Sequence, residues 1–173
     1  MSEHENCDCA VCRDGFAETL ARIRDKINED GFSVIVVKDD ELDAGYFYTV
    51  GRAEQGWPDY VSGVFDEEVV NVILSIMRKD ISTTRSKTVE WIPAVTSSCN
   101  VPIVIVEMEK EFIDEHCGFI ARIADKPVEE VRCRMVIFPD RTGRWPWDVG
   151  YDVPNVLELT DDFYRQVAKE LES

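Results

Sequence analysis

Short runs of β-branched and aromatic residues recur along this chain, with amphipathic helical stretches between them. That interleaving constrains the fold most, because strands need partners and each helix must bury its apolar stripe against another layer. Phe32–Val37 reads as a strand with so little alternation that both of its faces should be covered. Tyr46–Val50, Tyr60–Phe65, Lys87–Ile92 and Ile103–Met108 read as further strands. Val131–Phe138 alternates, with Val131, Cys133, Met135 and Ile137 on one side and Arg132 and Arg134 on the other, which predicts a half-exposed strand. Phe16, Leu20, Ile23 and Ile27 are spaced by four, three and four, which predicts a helix over Asp14–Asp30. Asp14 or Asp8 is its expected cap, and Gly31 its C-terminal stop. Asp66 is placed to cap a second helix carrying Val69, Val70, Ile73, Leu74 and Met77. Phe112–Ala124 predicts a third, weakened by Gly118. Phe163, Val167 and Leu171 predict a last helix from Thr160 or Asp161. The reading is an α+β fold, one compact domain with a mixed or mainly antiparallel sheet packed with three to four helices. Residues 1–12 form a cysteine-rich N-terminal segment and residues 13–173 the domain.

With 173 residues, 45% of them hydrophobic, the chain can bury a sizeable core. No stretch approaches eighteen consecutive apolar residues, so no membrane span is expected. Met1–Asp8 is polar and acidic without an apolar h-region, and the expected location is the cytoplasm. The net charge of -16 repels phosphate backbones. Two loose basic clusters stand against it: Arg78, Lys79, Arg85 and Lys87, and Arg132, Arg134, Arg141 and Arg144. Both read as cations scattered on a solvated face, so nucleic acid is not the expected partner. A basic partner protein, or mimicry of nucleic acid, suits the acidity, and the acidity alone points to neither.

His4, Cys7, Cys9 and Cys12 bring together residue types that zinc takes as ligands. Four ligands in so short a span make a cramped site, and His116 beside Cys117 can supply a second element. A plain reduced segment is the competing reading, and Cys9–Cys12 ahead of a helix leaves thiol redox chemistry as a third. Cys133, on an apolar strand face, reads as a small core residue. No glycine-rich phosphate loop is present. Flavin or nicotinamide stays open, since small β-rich domains can hold flavin without a short motif.

Two stretches carry the candidate ligand residues. In Tyr46–Arg52, Tyr46 and Tyr48 share a strand face, and Gly51 lets the chain turn and bring Arg52 back over them. The alternative is a core strand with its hydroxyls at the rim. Pro139–Arg144 reads as a turn, after which Trp145-Pro146-Trp147 should be extended, with both indoles on one side and Arg144 stacked across one of them. The rings either clasp the loop onto the core or form an aromatic wall for a ligand.

Together these stretches resemble a bacterial and phage family, domain of unknown function 4262. The likeness rests on Cys9-x-x-Cys12, Gly31-Phe32, Tyr48-Thr49-Val50-Gly51, Trp57-Pro58-Asp59 and, most specifically, Phe138-Pro139-Asp140-Arg141-Thr142-Gly143-Arg144-Trp145-Pro146-Trp147-Asp148-Val149-Gly150. It implies a compact α+β domain in cytoplasmic or phage-encoded proteins and brings no activity with it. Cys7 is additional to the pair of cysteines the family carries.

Three functions fit. The first is a non-catalytic binding or regulatory protein, which for a phage-encoded chain would act on a host factor. The second is an enzyme for a small anionic molecule, with Tyr48, Arg52, Arg144, Trp145 and Trp147 in one pocket and His116 or Asp140 carrying the proton. The third is a zinc-stabilised structural module built on Cys7, Cys9, Cys12 and His116.

Overall fold

The computed structural model describes residues 15–39, 44–64, 66–78, 89–92 and 101–172. Helix α1 (Phe16–Asp30) precedes strands β1 (Ser33–Asp39) and β2 (Ala44–Val50), a 3-10 turn (Ala53–Gln55) and β3 (Asp59–Ser62). Helix α2 (Glu67–Arg78) and strands β4 (Val89–Ile92) and β5 (Ile103–Glu107) come next. Helices α3 (Lys110–His116) and α4 (Phe119–Ala124) and a second 3-10 turn (Val128–Glu130) precede β6 (Cys133–Ile137) and α5 (Asp161–Leu171).

The strands form one sheet in the order β1-β2-β3-β6-β5-β4. Two antiparallel meanders, β1-β2-β3 and β4-β5-β6, meet through the parallel pair β3/β6, in which Tyr60 lies opposite Arg134. The fold is therefore α+β with a mixed, mostly antiparallel sheet. On one face Tyr48, Val50, Val61, Val106, Cys133 and Met135 pack with Ile23 of α1, Ile113 of α3, Ile120 of α4 and Val167 of α5. On the other, Phe47, Tyr60, Ile105 and Val136 pack with Val72, Ile73 and Ile76 of α2.

Local signals place the helix ends. Gly31 stops α1 at φ 82°, its N–H returning to the Ile27 carbonyl. The Glu68 N–H donates to the Asp66 carboxylate at 2.7 Å, and the Phe163 N–H to the Thr160 hydroxyl at 3.2 Å. At the start of α1 stands Gly15, whose carbonyl accepts the Thr19 hydroxyl. The expected caps Asp14 and Asp8 lie outside the described residues.

Four expectations need correction. Phe112–Ala124 is not one helix: it breaks at Cys117–Gly118 into α3 and α4. The break is held from β2. The Tyr46 hydroxyl donates to the His116 carbonyl at 3.0 Å, and the Tyr48 hydroxyl meets the Phe119 backbone. Second, β6 is buried along its whole length, and Arg134 is only 3% exposed. Helices cover both faces here, and Glu107 of the neighbouring strand supplies the countercharge. Third, both faces of edge strand β1 are covered only in part: Ile35 and Val37 pack with one core cluster and Val34 with the other, but Val36 is 40% exposed. Fourth, Arg132 and Arg134 are no solvated basic patch, since both bond Glu107. Lys79, Arg85, Lys87, the Arg78 side chain, Phe65 and Cys99 lie outside what is described.

Candidate functional site

The loop that leaves β6 is organised by one carboxylate. Asp140 Oδ1 accepts from the Thr142 N–H at 2.8 Å, the Thr142 hydroxyl at 2.7 Å and the Arg144 N–H at 2.9 Å. Its Oδ2 accepts from the Asp152 N–H at 3.3 Å. Gly143, at φ 83°, supplies the left-handed step that returns the chain. Burial pushes the Asp140 carboxyl up, but these donors outweigh it and hold the group below its ordinary range. Its contribution to stability is therefore present above the ordinary carboxylate value of about 3.9 and lost as pH falls through the lowered folded value. Asp140→Ala frees four donors, and the expected result is a lower Tm at neutral pH with the difference from wild type shrinking in acid. Thermal melts at neutral pH and near pH 3 check this, and equal melts at neutral pH would refute it.

The next four residues are not extended. The Asp148 N–H donates to the Trp145 carbonyl at 2.8 Å, and the Trp145 N–H donates to Asp148 Oδ2 at 2.8 Å. Trp145–Asp148 is thus a tight turn with Pro146 at its second position, where a fixed φ near -65° fits. The bias of a residue before proline falls on Trp145, the first position of the turn, which a turn leaves free to be extended; the chain reverses at Pro146 and Trp147, and Asp148 closes it with both side chain and backbone. Arg144 does not stack on an indole. Its Nη1 donates to the Gly150 carbonyl at 2.9 Å, and a Cβ on Gly150 would sit 3.0 Å from that nitrogen.

The turn aligns its two indoles. Trp145 and Trp147 are parallel within 3°, with centroids 5.3 Å apart. Trp91 of edge strand β4 packs on Trp145 with centroids 5.2 Å apart and the rings tilted by 49°, and it is 47% exposed. Trp145 and Trp147 are half-buried against the core. The rings therefore both fasten the loop and present an aromatic surface.

Under the loop, at the carboxyl ends of parallel strands β3 and β6, lies a cavity of about 250 Å³. Gly63, Pro146, Asp148, Tyr151, Asp161 and Tyr164 are among its walls. The Tyr151 hydroxyl donates to the Phe138 carbonyl at 3.3 Å. Burial pushes the Tyr164 phenol up to about 12, so it keeps its proton.

Of the residues singled out from sequence, Asp140, Arg144, Trp145 and Trp147 share this loop. Tyr48 lies elsewhere: it is 3% exposed on β2, with β3, β6 and β5 between it and Trp91. Arg52 does not return over the tyrosines. It sits on the α2 face, where its Nη1 donates to the Met77 carbonyl at 3.3 Å and its guanidinium lies 5.9 Å from the Tyr60 ring. There it borders an open recess of about 620 Å³ with Trp57, Phe32 and Leu74. Its Nε is buried with no hydrogen-bond partner among the described residues.

Asp59 joins the Tyr48–Arg52 and Trp57–Asp59 segments. It is not a loop residue but the fully buried start of β3, and it accepts from the Thr49 hydroxyl at 2.9 Å and the Ala53 N–H at 3.2 Å. Burial raises its carboxyl to about 7 against the opposing pull of these bonds and of Arg52. His116 packs between Phe112 and Tyr46, with ring centroids 4.7 Å and 6.2 Å away. Cys117 and Cys133 are free, buried and hydrogen-bonded to each other, and burial pushes the Cys133 thiol up. Among the described residues no group of three or more His, Cys, Asp or Glu side chains is placed to hold a metal ion. His4, Cys7, Cys9 and Cys12 lie outside them. No described helix is long and apolar enough to cross a membrane.

The family model for Domain of unknown function (DUF4262) matches residues 26–152, which run from α1 through Asp140 and its four donors. The chain belongs to this family. No curated protein and no solved structure matches it. The family match ends at Asp152, so Tyr164 and Asp161 of the cavity wall come from α5, beyond the matched region. Sequence reasoning also missed Trp91, Asp148, Tyr151 and Asp59 as site or network residues. Asp148 and Asp59 lay inside the quoted Gly143–Gly150 and Trp57–Asp59 segments and Tyr151 directly after the former, whereas Trp91 carried no such signal.

Proposed function

We propose that this protein is a non-catalytic binding protein, that the Trp91–Trp145–Trp147 cluster is its docking surface, and that its partner presents lysine and arginine side chains. Trp91 carries the reading: it is 47% exposed on an edge strand, yet held by Trp145 at 5.2 Å. Such rigid indoles offer contact area at little entropic cost and are the commonest interface anchors. The net charge of -16 steers basic partners toward the surface, where a guanidinium or ammonium over an indole face is attracted to it. The reading places the protein in the cytoplasm, which suits the free Cys117 and Cys133. For a phage-encoded member the partner would be a host factor.

A cation over an exposed indole is worth about 1 kcal/mol, or about fivefold in affinity. Trp91→Ala is therefore expected to weaken binding of an octa-arginine peptide by about that factor in calorimetric titration, and Trp91→Phe by less. Because Trp91 is half out of the core, the variant should remain folded. Undiminished binding by the alanine variant would sink the reading, because the charge alone would then account for the peptide.

A further inference from the structure

The cavity beneath the loop is built for a charge of one sign. Asp148 and Asp161, both exposed, stand at its mouth, and no lysine, arginine or histidine is among the described residues that line it. Arg144, the neighbouring loop cation, is held by the Gly150 carbonyl at 2.9 Å. Tyr151 and Tyr164 add two aromatic bodies and two phenol oxygens. The Tyr151 hydroxyl spends its proton on the Phe138 carbonyl, which leaves its oxygen lone pairs to accept. At about 250 Å³ the space falls below the roughly 300–1,000 Å³ of sites that enclose drug-sized ligands. It suits a group the size of one amino-acid side chain and excludes a nucleotide.

We infer that this cavity is a socket for an organic cation of side-chain size, the ammonium or guanidinium end of a lysine or arginine, with Asp148 and Asp161 as countercharges and Tyr151 and Tyr164 as walls. A cation leaving water needs paired carboxylates and acceptors together, and aromatic faces add to the attraction. The assignment of the cation to a partner protein rests on the reading of the indole cluster. The cation chemistry does not. The two features share one turn: Pro146 lines the cavity between the two stacked tryptophans, and Asp148, which also lines it, accepts the Trp145 N–H at 2.8 Å. A basic side chain seated in the socket would therefore have indoles beside its stem.

The test is a titration of the full chain with methylguanidinium and with n-butylammonium, followed by backbone amide shifts. n-Butanol serves as the neutral match and sodium chloride as the ionic-strength control. Saturable shifts at Gly63, Gly150 and Tyr151 are expected with the two cations and not with the controls, at the millimolar affinity that so few heavy atoms allow. Asp148→Asn with Asp161→Asn should weaken this by about fivefold or more. Asparagine at 148 keeps an oxygen for the Trp145 N–H, so the amide spectrum should otherwise be preserved. No saturable shift at those amides, or equal affinity in the double variant, overturns the socket. Binding of the free cations alone, with octa-arginine leaving these amides unmoved, would assign the socket to a small amine rather than to a partner side chain and overturn that part of the inference. Trp91→Ala separates the two ideas. If it weakens octa-arginine while the small cations fail to bind, the docking surface stands and the socket falls. If the cations bind and Trp91→Ala changes nothing, the socket stands and the docking surface falls.

Discussion

Glu107→Ala is expected to cost about 3–5 kcal/mol of folding stability, the loss that follows when one partner of a buried ion pair is removed. Glu107 ends β5 opposite Arg134 of β6. Its Oε1 accepts from Arg132 Nε at 2.7 Å, and its Oε2 from Arg132 Nη2 at 2.8 Å and Arg134 Nε at 2.9 Å. Burial pushes the Glu107 carboxyl up, but the two guanidinium groups outweigh it and hold it below its usual range. Arg134 also hydrogen-bonds Tyr60 and is only 3% exposed, so it cannot regain water when the carboxylate is removed. What the variant loses is mainly the compensation of a buried charge, which is why the cost exceeds that of a surface ion pair. Urea unfolding measures it. Glu107→Gln, which keeps an acceptor, should lose less, and pairing Glu107→Leu with Arg134→Met should recover much of the loss. A cost below about 1 kcal/mol for Glu107→Ala would place the network among exposed ion pairs.

Arg134 also marks where the sequence stops being informative about this fold. The period of two through β6 correctly separates Cys133, Met135 and Ile137 from the arginines. It cannot say whether the second face meets water or another layer. That is decided by α2 and by Glu107, which is 27 positions away. Signals carried by neighbours in the chain transfer well: the α1 stripe with Gly31, the Thr160 cap of α5 and the strand runs are all present. The Cys117–Gly118 break is held by the Tyr46 hydroxyl, which donates to the His116 carbonyl, and by the Tyr48 oxygen, which bonds the Phe119 backbone, both about seventy positions earlier, and local propensity sees only Gly118. The same division holds at the site. Pro139, Asp140 and Gly143 announce a turn, and that turn exists. The direction of the indoles was not legible, because the chain reverses at Pro146 and Trp147 through bonds that Asp148, past both indoles, makes back to Trp145. Trp91, Tyr151 and the Asp161–Tyr164 pair of α5 come from separated segments with no spacing between them to read, and only the packed fold brings the last three to one cavity. Tyr48 and Arg52 are close in sequence and yet serve opposite faces, since Gly51 at φ 109° sends Arg52 toward the Met77 carbonyl and the Tyr60 ring.

Asp59→Asn is expected to remove a pH dependence of stability on the order of 4 kcal/mol between about pH 4 and pH 7. The Asp59 carboxyl stands near 7 in the folded protein against 3.8 in an unperturbed chain, because burial opposes its charged form more strongly than Thr49, Ala53 and Arg52 favour it. Across that interval the folded state keeps a proton that the unfolded state has released, so stability falls as pH rises and levels off above 7. The sign is opposite to that of Glu107 and Asp140, whose lowered values matter only in acid. Lys126 and Cys133 approach the same region: the lysine donates to the Ala53 carbonyl at 2.8 Å, and Asp59 pushes the thiol up. Asparagine is neutral throughout. It retains one oxygen for the Thr49 hydroxyl or the Ala53 N–H but cannot serve both as the carboxyl does, so the variant should be the less stable protein near pH 5. Toward pH 8 the wild type must carry a buried charge, and the difference should close or reverse. Urea unfolding of both proteins at the two pH values reads this directly, and the self-repulsion of a chain with net charge -16 largely cancels in the comparison. A difference that stays constant with pH would mean that Asp59 does not titrate in this range. The link between β2 and the Arg52 turn would then be a permanent carboxylate held by Arg52, and no proton would be needed to keep it buried.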